Sequence, residues 1–193
     1  MKRESLQPRR RSLRLKGFNY AELGAYFVTI VTQDRFCLFG EIIDGQMELN
    51  STGEAITRWW LELGRKFATV ESDEFVVMPN HCHGIIGIRD PVVGADLRVG
   101  PPDIRTGAHI GAPLPKIVQW FKTMTTNEYI RGVKALARPP IRRQLWQRGY
   151  YEHVIRDVDS RNRIRQYIID NPARWAFDRE NPSVTAVEPD SAY

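Results

Sequence analysis

The stretch VVMPNHCHGIIGI, residues 76–88, decides how the rest of the chain is read. It sets His81 and His83 two positions apart in an apolar run, and side chains two apart on an extended strand share a face. Both imidazoles therefore point the same way from one sheet, a ready pair of metal ligands. Cys82, between them, faces the opposite side, where it packs and does not ligate. Pro79 lacks the donor that a central ladder needs, so residues 78–80 turn. The histidines thus open a second strand after a first at 73–77.

Upstream, residues 26–32 (YFVTIVT) are β-branched and aromatic and read as a central strand. Residues 38–43 and 47–50 flank Asp44-Gly45, a pair that favours a tight hairpin. At Ser51 the pattern turns helical: Ser51 and Glu54 fit a capping box, and Ala55, Ile56, Trp59, Trp60 and Leu63 follow at helical spacing, the tryptophans as core. Downstream, residues 89–114 carry four glycines and four prolines without periodicity, and predict a long mobile loop in which His109 is solvated. Ile117, Trp120, Phe121 and Met124 restore helical spacing to about residue 133; the polar face of that helix, with Lys116, Lys122, Thr123 and Thr126, is either DNA-facing or wet. Residues 145–156 (LWQRGYYEHVIR) read as extended. A last helix starts near Asp157 or Asp159 and stops at Asn171-Pro172, because the residue before proline is pushed out of the α region. No internal repeat is found.

With 193 residues, 42% of them apolar and 26% charged, the chain suits one domain with tails. Its net charge of +5 favours a polyanionic partner such as nucleic acid over an acidic-patch or membrane partner. Two cysteines and no apolar span point to a reducing cytoplasm. Residues 1–16 set Lys2, Arg3, Arg9, Arg10, Arg11, Arg14 and Lys16 against Glu4 alone, an arm for phosphates or a solvated tail.

Four histidines give one His-x-His by chance in about 6% of such chains, so context must carry the motif. Two imidazoles with one amide oxygen leave positions open for a substrate oxygen, the Lewis-acid arrangement. Such a site polarises a phosphodiester while a tyrosine attacks phosphorus. Tyr167 lies one turn before Asn171, and Arg163 or Arg165, if close, would favour its phenolate. Ile164 and Ile168 face the core, and periodicity by itself makes Tyr167 a border residue of that core. The residues alone reach a metal-assisted phosphoryl site and no further.

Four stretches carry a resemblance: MPNHCHGII, WQRGYYEHVIRD, RIRQYIIDNPARW and the opening RRRSLRLKGFNYAELGAYFVTIVTQDRFCLFGEI. Together they resemble the single-tyrosine HUH transposases, above all the REP-associated tyrosine transposases, over about residues 9–176. The resemblance implies an α+β, ferredoxin-like or RRM-like domain, a central antiparallel sheet with helices packed on it. It implies His81 and His83 as ligands of Mg²⁺ or Mn²⁺, Tyr167 as nucleophile, and Asn171 as the residue completing the metal site. It further implies cutting and rejoining of single-stranded, REP-like hairpin DNA through a 5′-phosphotyrosine. Cys82 stands where a bulky aliphatic residue is usual, and Asn171 where relatives often carry glutamine.

The expected organisation is a basic arm at 1–16, a catalytic domain at 17–177 and an acidic, disordered tail at 178–193. Arg9, Arg10, Arg11, Arg14, Lys122, Arg163 and Arg165 are the expected DNA contacts. His153 is either an accessory group at the scissile DNA or a structural histidine. Tyr150 and Tyr151 are rival nucleophiles on an extended segment. The expected setting is the bacterial cytoplasm and nucleoid, away from membranes, as monomer or homodimer. Two other readings compete: a non-catalytic nucleic-acid-binding module of the same fold, and a small-molecule His-x-His metalloenzyme.

Overall fold

The computed structural model describes residues 23–89, 112–135 and 144–184. In chain order the elements are β1 (Gly24–Val31), β2 (Gly40–Ile43), β3 (Gln46–Leu49), α1 (Ser51–Leu61), α2 (Leu63–Lys66), β4 (Val70–Val77), β5 (His81–Ile88), α3 (Leu114–Ala135), β6 (Tyr151–Ile155) and α4 (Val158–Asp170). A 3₁₀ segment, Pro172–Phe177, follows α4. The protein is α+β, with a four-stranded antiparallel sheet in the order β4-β5-β1-β6 and helices packed on it.

That order and the β-α-β-β-α-β succession are those of a ferredoxin-like unit. Tyr26 to Ile30 are all buried, as a strand covered on both faces must be. Alternation divides them. Tyr26, Val28 and Ile30 join Cys82 and Ile86 in the larger core with α1 and α3, through Ile56, Trp60, Ile117 and Phe121. Phe27 and Ile85 face the other way, against Ile164 and Ile168 of α4. Cys82 is therefore packed, not ligating. Trp60 stacks on Phe75 at 4.2 Å, and a Cβ at Gly84 would lie 2.3 Å from the Trp60 ring, so only glycine leaves room for it.

Local signals explain most boundaries. Asp44 (φ 50°) and Gly45 (φ 75°) both adopt left-handed backbone in the β2–β3 turn, which a two-residue hairpin requires. Asp157 caps α4 by accepting from the Ser160 N–H, and Pro172 ends it. One cap is corrected: Asn50, not Ser51, holds α1, its side chain accepting from the N–H groups of Thr52 and Gly53 at 2.8 and 3.1 Å. A second correction is the strand expected over 145–156. It starts only at Tyr151, and Trp146 makes an isolated bridge to Thr32.

The arm with Arg9, Arg10, Arg11 and Arg14, His109 with most of its loop, and residues 185–193 lie outside the described residues. Among those described, no helix is long and apolar enough to cross a membrane.

Candidate active site

The site is built from the turn before β5. The Met78 N–H donates to the His81 carbonyl at 2.8 Å, so the chain reverses at Pro79-Asn80 and the ladder begins at His81. Asn80 is fully buried. Its amide nitrogen donates to the carbonyls of Arg35 (3.1 Å) and Glu180 (2.7 Å), which fixes the amide's orientation. Its oxygen therefore faces the His81 Nδ1, 2.8 Å away. An amide oxygen only accepts, so Nδ1 carries the proton and Nε2 presents a lone pair. The Nε2 of His83 lies 2.9 Å from the His81 Nε2. Thr29, opposite His83 in the β1–β5 register, meets its Nδ1 at 2.8 Å. A hydroxyl can donate or accept, so His83 can turn either an N–H or a second lone pair toward His81.

Burial sets the charge of this pair. It pulls the His81 imidazole well below its ordinary range, with His83 and the Arg179 guanidinium adding to the effect. The His83 imidazole is pushed down to about 3 by burial and then by Arg179. Both rings are neutral at pH 7, the form that binds metal. Asp178 brings a carboxylate oxygen to 3.6 Å from the His81 Nε2, and the three ligand atoms lie within 4.8 Å of one another. With bonds of about 2.0–2.2 Å, adjacent ligands on an octahedral ion sit about 3 Å apart, close to the spacing of the two Nε2 atoms. At the end of α4 the Asn171 Oδ1 is buried and accepts no hydrogen bond. Two neutral imidazoles and a carboxylate so placed could hold a metal ion.

Tyr167 stands over the same face. Its ring centroid is 5.3 Å from that of His83 and 5.9 Å from that of Phe27, edge-on to both rings. It is half-buried at the margin of the Phe27–Ile164–Ile168 cluster, so the border position read from periodicity and the place beside the histidines are one and the same. Asn171 follows one turn on as the α4 C-cap, and Trp175 lies 6.0 Å from His81. One chain supplies both the histidines and the tyrosine.

The remaining sequence candidates scatter. Arg165 donates to Asp73 of β4 at 2.8–3.2 Å, beside Arg161, which donates to the same carboxylate. Arg163 bonds Ser160. Lys122 is on the far face of the sheet, its ammonium donating to the carbonyls of Gln147 and Gly149; burial brings its pKa down to about 8. His153 pairs with Phe27 across β1–β6 and is half-buried, its pKa lowered by burial and by Arg156. Sequence reasoning passed over Asp178, Arg179 and Asn80. Asp178 and Arg179 were assigned to the tail, although Trp175 just before them, 6.0 Å from His81, hints that the chain stays near the core.

No family model matches the chain. An uncharacterized protein of Haemophilus influenzae is 42% identical over 176 residues, which cover 88% of this chain and 92% of that protein. A solved structure, that of the REP-associated tyrosine transposase bound to a REP hairpin, aligns with 84% of this chain and 74% of its own. Its TM-score is 0.50 at 18% identity. The sheet with its paired histidines, crossed by a helix bearing a tyrosine, thus has the fold of the REP-associated tyrosine transposases. Within that fold, the chain belongs to the same family as the Haemophilus protein.

Proposed function

We propose that this protein is a metal-dependent, single-tyrosine DNA endonuclease and strand transferase acting on single-stranded, hairpin-forming DNA. The observation that carries this reading is Tyr167 beside His83 on the sheet face where two neutral imidazole nitrogens converge with Asp178.

The Tyr167 oxygen attacks a phosphodiester phosphorus and the P–O3′ bond breaks. The strand is left as a 5′-phosphotyrosine and a free 3′-hydroxyl, the phenol's proton being made up on the departing oxygen. Attack by a 3′-hydroxyl reverses the step and joins strands, with no net change in phosphodiester bonds. His81 and His83, with Asp178 or Asn171 as the third ligand, would hold Mg²⁺ or Mn²⁺, which when bound would supply Lewis acidity to the phosphate. A tyrosine with an ordinary pKa near 10 needs positive charge nearby. Arg179, whose guanidinium bears on both imidazoles while pairing with Glu180 at 3.4 Å, is the candidate for it, Arg165 being committed to Asp73. Phe27 and the edge-on packing hold the phenol ring in place.

The likeness of fold to a transposase bound to a REP hairpin supports a palindromic hairpin as substrate. The basic arm at 1–16 then grips the hairpin's phosphates, and the protein works on nucleoid DNA in the cytoplasm. Because one chain carries the whole constellation, the reaction needs no helix exchanged between copies. The test is incubation of the full chain with hairpin-forming single-stranded DNA and Mn²⁺. A covalent protein–DNA band is expected that EDTA and Tyr167→Phe both abolish; cleavage that persists in Tyr167→Phe contradicts the reading.

A further inference from the structure

On the opposite face of the sheet from Tyr167, a groove of about 620 Å³ runs between α3 and residues 144–150. That volume lies within the range of ligand sites, about 300–1,000 Å³. None of its twelve lining residues is acidic, although the chain carries 23 aspartates and glutamates, while Lys122 and Arg148 both line it. A groove so composed favours an anion. Four of the lining side chains are amides: Gln119, Asn127 and Gln147, and Gln144, whose nitrogen donates to the Gln33 oxygen at 2.8 Å. Amides pair a donor with an acceptor, the combination that matches the edge of a nucleobase. Tyr150 closes the end of the groove, its ring under the Lys122 ammonium at 5.6 Å. The walls are fixed: Lys122 of α3 clips the facing segment through the carbonyls of Gln147 and Gly149.

The groove is joined to the candidate active site by the chain itself. Tyr150 lines the groove, whereas Tyr151, the next residue, packs on Phe27 at 6.3 Å on the α4 face, under the Arg179 guanidinium at 5.6 Å. The two tyrosines stand where the chain enters β6, the strand that ends the sheet order. A strand leaving the groove therefore crosses one sheet edge to reach the face that holds Tyr167.

We propose that this groove is a second nucleic-acid site, which reads unpaired bases of single-stranded DNA and delivers the strand around the β6 edge to Tyr167. The delivery, though not the groove itself, rests on the function proposed above.

The test is fluorescence anisotropy with labelled single-stranded homopolymers of dA, dC and dT and a blunt duplex, in EDTA so that no cleavage occurs. Wild type is expected to prefer single strands and to rank the bases. Gln119 and Asn127 are exposed on α3, so Gln119→Glu with Asn127→Asp adds two negative charges without disturbing the core. That variant should lose about 5- to 100-fold in single-strand affinity, the scale of one lost base contact. The neutral Gln119→Ala should flatten the ranking of bases. Tyr167→Phe should bind as wild type does. Wild-type affinity and ranking in both groove variants overturn the groove proposal even where wild type still forms its Tyr167 adduct. Weakened binding in a protein that forms no adduct upholds the groove and overturns the catalytic reading instead.

Discussion

His81 and Asn80, neighbours in the chain, are joined by a 2.8 Å hydrogen bond from imidazole Nδ1 to amide oxygen. The same amide ties down the Glu180 carbonyl at 2.7 Å, two residues beyond Asp178. One side chain thereby sets the tautomer of one candidate ligand and anchors the segment that brings another. Replacing Asn80 with alanine frees both. Asn80→Ala is expected to lower stability by about 1–3 kcal/mol in urea unfolding, the cost of stripping buried hydrogen-bonding groups. It should also weaken Mn²⁺ binding about 10- to 100-fold by titration calorimetry, as losing an outer partner of a metal ligand does. Unchanged Mn²⁺ affinity would make Asn80 a structural residue only.

Asp178 and Asn171 compete for the third ligand position. The carboxylate brings charge and lies 3.6 Å from the His81 nitrogen; the amide brings a buried oxygen without a hydrogen bond. Charge should win for Mg²⁺ or Mn²⁺. Asp178→Ala is expected to cost more Mn²⁺ affinity than the about 10- to 100-fold of an outer-shell loss, and Asn171→Ala less than Asp178→Ala. The reverse order would restore Asn171 as the principal third ligand.

The pH dependence of the metal-free protein follows from the buried imidazoles. Their folded pKa values lie below the unfolded value near 6.5, His83 at about 3, so the unfolded chain takes up protons first. Their contribution is intact above pH 6.5 and is lost as pH falls through that value toward 3. Each imidazole adds a slope of about 1.4 kcal/mol per pH unit. Urea unfolding in EDTA between pH 6.5 and 4.5, above most carboxylate titrations, should show it. His83→Gln should reduce the slope by about one proton, and an unaltered slope would mean that His83 is not held neutral.

Asp73 receives both Arg161 and Arg165 and so pins α4, with Tyr167 on it, to β4. Asp73→Ala is expected to speed amide exchange along α4 and to slow adduct formation several-fold, while Mn²⁺ affinity stays unchanged. Slower exchange or lost metal affinity would place the role of this carboxylate elsewhere.

The shared face of His81 and His83 was legible because strand alternation is local and Pro79 marks where the strand starts. The same holds for the helix carrying Tyr167, bounded by Asp157 and by Asn171-Pro172. The Asp44-Gly45 hairpin was legible from two residues. What a sequence pattern does not carry is the return of the chain after Pro172. Asp178 reaches His81 only because a 3₁₀ turn follows the helix, and an Asp-Arg-Glu run after it has the composition of a solvated tail. Arg163, one turn before Tyr167, and Arg165, two residues before it, were both candidates to favour the phenolate, yet β4 presents Asp73 to Arg165. The cap of α1 moved from Ser51 to Asn50 because both residue types cap well, and the Asn50 N–H also meets the Phe39 carbonyl at 3.0 Å, which fixes the register.

The most direct measurement is mapping of the DNA-linked residue. Full-length protein is trapped on a hairpin-forming single strand with Mn²⁺, digested with nuclease and trypsin, and read by mass spectrometry. Cleavage after Arg165 and Arg174 releases a peptide whose one tyrosine is Tyr167. The nucleotide mass is expected on that peptide. Its appearance on the peptide carrying Tyr150 and Tyr151, or on no tyrosine, would contradict the assignment of Tyr167 as nucleophile.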